Sequence, residues 1–130
     1  MKAITSSIVF FLALACLPGC SSATEPDPGG NAGGGAKSFR SNVLPILNAS
    51  GCSGCHGGNG GLTVTSVSAL LSGGDHGPAV VPGIADSSNL VRKLLSPPPF
   101  GSRMPLGGTP LSDASVGVIR AWINEGAKDN

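Results

Sequence analysis

Apolar positions recur at helical spacing in four stretches of the chain. Phe39, Val43, Ile46 and Leu47 share one face of a helix that begins near Ser41 or Asn42, with Pro45 tolerated in the first turn, where its missing N–H has no helical partner to lose. Residues 66–71 (SVSALL) read as a short helix stopped by Gly73 and Gly74. Ser87 or Ser88 caps a third helix carrying Leu90, Val91, Leu94 and Leu95, which ends at Ser96 before Pro97. The fourth pattern is the clearest. Ser112 is its N-cap, Asp113 suits the positive end of the helix, Val116, Ile119, Trp122 and Ile123 form its apolar face, and Gly126 stops it. No stretch sustains strand alternation, residues 62–65 (LTVT) coming nearest. The expectation is an all-α, loop-rich domain of about four short helices, with Trp122 in its core.

A different pattern opens the chain. Lys2 supplies a positive start, and residues 8–17 form an apolar run of signal-peptide length, too short to span a bilayer. The run meets Leu17-Pro18-Gly19-Cys20, which resembles the lipobox of bacterial lipoprotein signals. On that reading residues 1–19 are removed and Cys20 becomes the acylated N-terminus, holding the protein to a membrane surface from outside the cytoplasm. An ordinary secretory signal, with Cys20 a leftover thiol, is the alternative; both export the protein. Residues 20–37 then form a Gly/Pro-rich tether with too little apolar surface to order itself, its typical reach roughly 20–25 Å as a flexible coil. The domain is residues 38–130.

Composition sharpens the picture of that domain. Gly (21) and Pro (11) make up about a quarter of the 130 residues, while aromatics are only 4%. Phe39, Phe100 and Trp122 are the aromatics left to residues 38–130, thin for a self-sufficient core. A formal charge of +1 offers no footprint for nucleic acid. The four cysteines fall in two tight groups instead of a spread disulfide framework.

The second group is Cys52-Ser53-Gly54-Cys55-His56, the attachment signature of c-type haem. Two thiols three positions apart on one turn reach the two vinyl groups of one porphyrin edge, and His56 is placed to be the proximal ligand of the iron. Such a haem c would also supply the apolar bulk that the domain lacks. A zinc site is disfavoured, since the domain offers only Cys52, Cys55, His56 and His76, two of them adjacent in sequence. A thioredoxin-like redox pair wants a βαβ context that is absent, and a structural disulfide remains the other rival.

For the sixth iron position Met104 is the favoured residue. It is the only Met outside the signal and lies in a Pro/Gly loop (RMPLGG), where the following Pro105 biases it toward extended backbone and a gap-filling core role is less natural. A filled sixth position leaves no open site for a small-molecule substrate, and His/Met ligation raises the reduction potential. His76, in GGDHGP, is the competitor. If neither binds, a five-coordinate iron suits a haem-based sensor or a ligand-binding module.

The succession GCSGCHGG, GGLTV, LLSGGDHGPAVVPG, SSNLVRKL and RMPLGGTPLSDASVGVIRAWINEGA resembles the small monohaem domains of the planctomycete-type cytochrome c family, over about residues 43–127. The resemblance implies a class I cytochrome c architecture, with the first and last helices packed together beside the haem. It also implies Cys52 and Cys55 as thioether attachment, His56 as proximal ligand and Met104 as distal ligand. Leu106 stands where the family often has a second proline, and Ser115 where an acidic residue often completes the last helix cap. Family members are often fused to other domains; this chain leaves no room for one, so separate redox proteins are the expected donor and acceptor. Without Lys2, seven basic and seven acidic side chains balance, so no strong electrostatic docking is written in the total charge. Arg92, Lys93 and Arg103 are candidate partners of the haem propionates. The resulting expectation is an exported, lipid-anchored, one-electron carrier with no acid, base or nucleophile, whose domain does not fold without haem.

Overall fold

A computed structural model of the protein describes residues 35–130. The expected signal, Cys20 and all but the last residues of the expected tether lie outside the described residues.

A π-helical turn, Phe39–Val43, runs without a break into α1, Leu44–Ala49. The helical segment therefore starts earlier than its apolar face suggests, capped by Ser38, whose hydroxyl accepts the Ser41 N–H at 3.1 Å. Pro45 accounts for the wider turn. It has no N–H to return to the preceding turn, and its ring would crowd the carbonyl of Ser41 in a regular α-helix. Gly51, at φ 72, turns the chain into α2, Cys52–Cys55, a single turn that carries both cysteines. That turn brings the α-helices to five among the described residues, one more than the apolar periodicity indicates.

Ser66 caps α3, Val67–Ser72, by accepting the Ala69 N–H at 3.2 Å, and Gly73 ends it at φ 77. Helix α4, Asn89–Leu94, is shorter than expected; Leu95 is its C-cap and is 41% exposed. Ser88 does occupy its N-cap position but bonds no amide of the helix. The fully buried hydroxyl turns inward, accepting from the Val81 N–H at 2.9 Å and donating toward the Ile84 carbonyl at 3.0 Å. Helix α5, Asp113–Asn124, has the expected Ser112 cap, which accepts the Ser115 N–H at 3.2 Å. The Ser115 hydroxyl accepts from that of Ser112 at 3.0 Å, so Ser115 still serves the cap without an acidic group.

The core lies between the first and last helices. Phe39, Val43 and Leu47 are buried with Val116, Ile119, Trp122 and Ile123 of α5. The Phe39 and Trp122 rings are 5.4 Å apart at a 38° tilt, and the indole N–H donates to the Lys128 carbonyl at 2.9 Å. A fully buried indole that also satisfies its N–H is costly to replace. Backbone ties close the same end: the Lys37 N–H donates to the Glu125 carboxylate at 2.5 Å, and the Phe39 N–H to the Asn130 side-chain oxygen at 3.2 Å. Residues 62–65 form no strand, Thr63 making one isolated bridge to Gly57. The fold is thus all-α and loop-rich among the described residues, and none of their helices is long and apolar enough to cross a membrane.

Candidate haem-binding site

Away from the Phe39–Trp122 contact, the loops enclose a cavity of about 400 Å³. That is within the ~300–1,000 Å³ usual for cofactor sites. Its walls are mainly apolar, built from Leu62 and Val64 after the cysteine turn, Leu90 and Leu94 of α4, and Phe100. Cys52, His56 and Met104, far apart in sequence, all line it, and so does His76. Cys55 lies outside the lining and is exposed. Both Cys52 and Cys55 are free thiols, and among the described residues no three His, Cys, Asp or Glu side chains converge as a metal site would require.

Local backbone chemistry aims the histidine. Its N–H closes the α2 turn by donating to the Cys52 carbonyl at 2.8 Å. The ring Nδ1 lies 3.3 Å from the Asn59 carbonyl oxygen, which accepts from it in the Nδ1–H tautomer. That tautomer leaves Nε2 as the free lone pair, the arrangement a metal-bound imidazole requires. Asn59 also secures the turn itself, its side-chain amide donating to the Cys55 carbonyl at 2.8 Å. Burial pushes the Cys52 thiol pKa up, and the neighbouring Cys55 adds to this, against a backbone hydrogen bond that lowers it. Cys52 is therefore held as a neutral thiol at the cavity wall.

The His76 loop is fixed by close backbone approach. A Cβ on Gly74 would stand 2.2 Å from the Gly60 carbonyl oxygen, and one on Gly73 only 1.9 Å from that of Gly77. The absence of a side chain at Gly74 lets the Asp75 N–H reach the Gly60 carbonyl at 2.9 Å, joining this loop to the segment that follows His56. The Met104 loop is fixed from α4, its N–H donating to the Lys93 carbonyl at 2.8 Å.

Of the three cations considered for propionates, Lys93 and Arg103 are engaged with backbone. Lys93 Nζ donates to the Phe100 carbonyl at 2.6 Å and to that of Ser102; Arg103 donates to the Met104 carbonyl at 3.2 Å and reaches the Gly108 carbonyl at 3.5 Å. Arg92 is exposed on α4. Sequence reasoning passed over Asn59 and Phe100 as site residues. The position of Asn59 three residues after His56 was the available signal for one; Phe100, as the domain's aromatic outside the helices, was the signal for the other.

The residues present fit a covalently held haem: a mainly apolar cavity, Cys52 of the cysteine turn at its wall, an imidazole whose Nδ1 faces a carbonyl, and a thioether in the same lining. A small all-α fold with that site has the features of a c-type cytochrome domain. Residues 52–105 match the family model described as Planctomycete cytochrome C. Covalently bound haem c and export from the cytoplasm are properties typical of the family's domains. No curated protein matches the chain. Among solved structures it is similar to Kuenenia stuttgartiensis hydrazine synthase, at 28% identity and a TM-score of 0.46, over 70% of this chain. The match spans 16% of that longer chain.

Proposed function

We propose that the protein is an exported, lipid-anchored carrier of single electrons with one haem, ligated by His56 and Met104 and attached through Cys52 and Cys55. The observation that carries this reading is the shared lining: Cys52, His56 and Met104 converge on one mainly apolar cavity. Bound haem c would supply a one-electron ferric/ferrous couple. The chain's residues would supply the rest. Cys52 and Cys55 would tether the group, the Asn59 carbonyl keeps His56 Nε2 available to it, and Met104 would be the second ligand, giving a higher potential than a second imidazole would. Leu62, Val64, Leu90, Leu94 and Phe100 exclude water. The expected partners are a separate redox donor and acceptor, and acylated Cys20 is the expected membrane anchor. A haem-based sensor with a displaceable distal ligand is the second reading, favoured by His76 lining the same cavity as Met104.

Carbon monoxide separates the two. The ferrous protein of a carrier resists carbon monoxide at neutral pH, and Met104→Ala changes the spectrum and admits the gas. Ready binding by the native protein, or an unchanged spectrum in Met104→Ala, overturns the ligation and favours the sensor.

A further inference from the structure

Helix α4 presents Asn89, Leu90, Lys93 and Leu94 to the cavity. Asn89 and Lys93 are four residues apart, hence one above the other on the same helix face. Each holds a different loop. The Asn89 side-chain amide donates to the His76 carbonyl at 3.1 Å and to that of Pro78 at 3.3 Å. Lys93 holds the other loop at three alternate positions: its ammonium donates to the carbonyls of Phe100 and Ser102, and its own carbonyl accepts the Met104 N–H.

Phe100 connects the two loops. The Lys93 ammonium lies 4.6 Å from the centroid of its ring, a cation–π contact, and the His76 imidazole stacks on that ring at 4.0 Å and 27°. The two side chains able to compete for the distal position therefore ride on loops gripped by one face of one helix. The His76 ring is engaged by the phenyl group that Lys93 fixes.

We propose that Lys93 is the positioning residue that selects Met104 over His76 as the distal iron ligand. The inference rests on the His56/Met104 reading. A neutral thioether has no charge to steer it to the iron, so its occupancy depends on how little freedom its loop loses on binding. Two hydrogen bonds from an ammonium, stronger than neutral ones, restrict that freedom in advance on a segment rich in Gly and Pro. Releasing the ammonium loosens Phe100 at the same time, which frees the His76 ring and favours the competitor as it weakens Met104.

The test uses haem-loaded, full-length protein and the variants Lys93→Leu, Lys93→Arg and Lys93→Leu/His76→Ala. It reads the thioether-to-ferric-iron charge-transfer band, the reduction potential and ferrous carbon monoxide binding. Lys93→Leu is expected to lose the band and shift the potential downward, toward that of two imidazoles; Lys93→Arg, which restores charge and donors, is expected to retain the band. The double variant is expected to bind carbon monoxide, because neither ligand then fills the site. Retention of both band and potential in Lys93→Leu overturns the proposal. Should Lys93→Leu not accumulate as holoprotein, Lys93→Gln, which removes the charge and shortens the reach to the Phe100 and Ser102 carbonyls, decides: a downward shift with loss of the band supports the proposal, and unchanged values overturn it. A native protein without the band overturns the Met104 reading itself, before any variant is compared.

Discussion

His56 Nδ1 lies 3.3 Å from the Asn59 carbonyl oxygen, while the Asn59 side chain donates 2.8 Å to the Cys55 carbonyl. One residue thus orients the imidazole with its backbone and closes the cysteine turn with its side chain. Asn59→Ala removes only the second bond. The expected loss in holoprotein stability is about 0.5–1.5 kcal/mol, that of one hydrogen bond, with the axial-ligand spectrum retained because the backbone carbonyl remains. Denaturant unfolding beside a visible spectrum measures both; loss of the ligand signature would mean that the side chain, not the carbonyl, orients His56.

Trp122 joins the first and last helices. Trp122→Ala is expected to cost about 3–5 kcal/mol, as large-to-small changes of buried aromatics do. Trp122→Phe keeps a ring against Phe39 but leaves the Lys128 carbonyl without its indole donor, so an intermediate loss of about 1–3 kcal/mol is expected. Chemical denaturation of the two holoproteins gives the order, and equal losses would contradict a separate role for the N–H.

Two glycines in different surroundings are expected to respond in opposite directions. At Gly74 a Cβ meets the backbone of Gly60, which has no side chain to move aside, so Gly74→Ala should destabilise by about 1–3 kcal/mol. At Gly117, inside α5, a Cβ meets nothing within 4 Å, and Gly117→Ala should stabilise by about 0.5–1 kcal/mol through helix propensity alone. Thermal unfolding of both variants checks the signs.

Membrane attachment is tested at Cys20. Cys20→Ser is expected to move the exported protein from the membrane to the soluble fraction with its haem intact. Unchanged fractionation of cells would exclude acylation at this residue.

The helix faces were legible because burial imposes a period. Val116, Ile119, Trp122 and Ile123 could meet the core only on one side of a helix, and Ser112 caps as its position suggested, whereas Ser66, read as the first residue of its helix, proves to be the cap. Ser88 was legible as a boundary but not as a hydrogen-bonding group, since its partners Val81 and Ile84 come from a loop whose path depends on the whole fold. The π-turn before Pro45 was hidden for a related reason: proline's missing N–H predicts disruption without saying how the preceding turn resolves it. In the site, the cysteine turn and His56 were written in five consecutive residues. Lys93 was not, because its role depends on carbonyls of Phe100 and Ser102 and carbonyl direction leaves no trace in residue type.

The most direct test of the electron-carrier account is a potentiometric titration of purified protein from a host that attaches haem c, followed by its reduced-minus-oxidised visible spectrum. The account predicts c-type absorbance bands from one haem per chain, changing together along a single one-electron transition. Protein from that host with no covalent haem, or with haem that exchanges no electron reversibly, would contradict it.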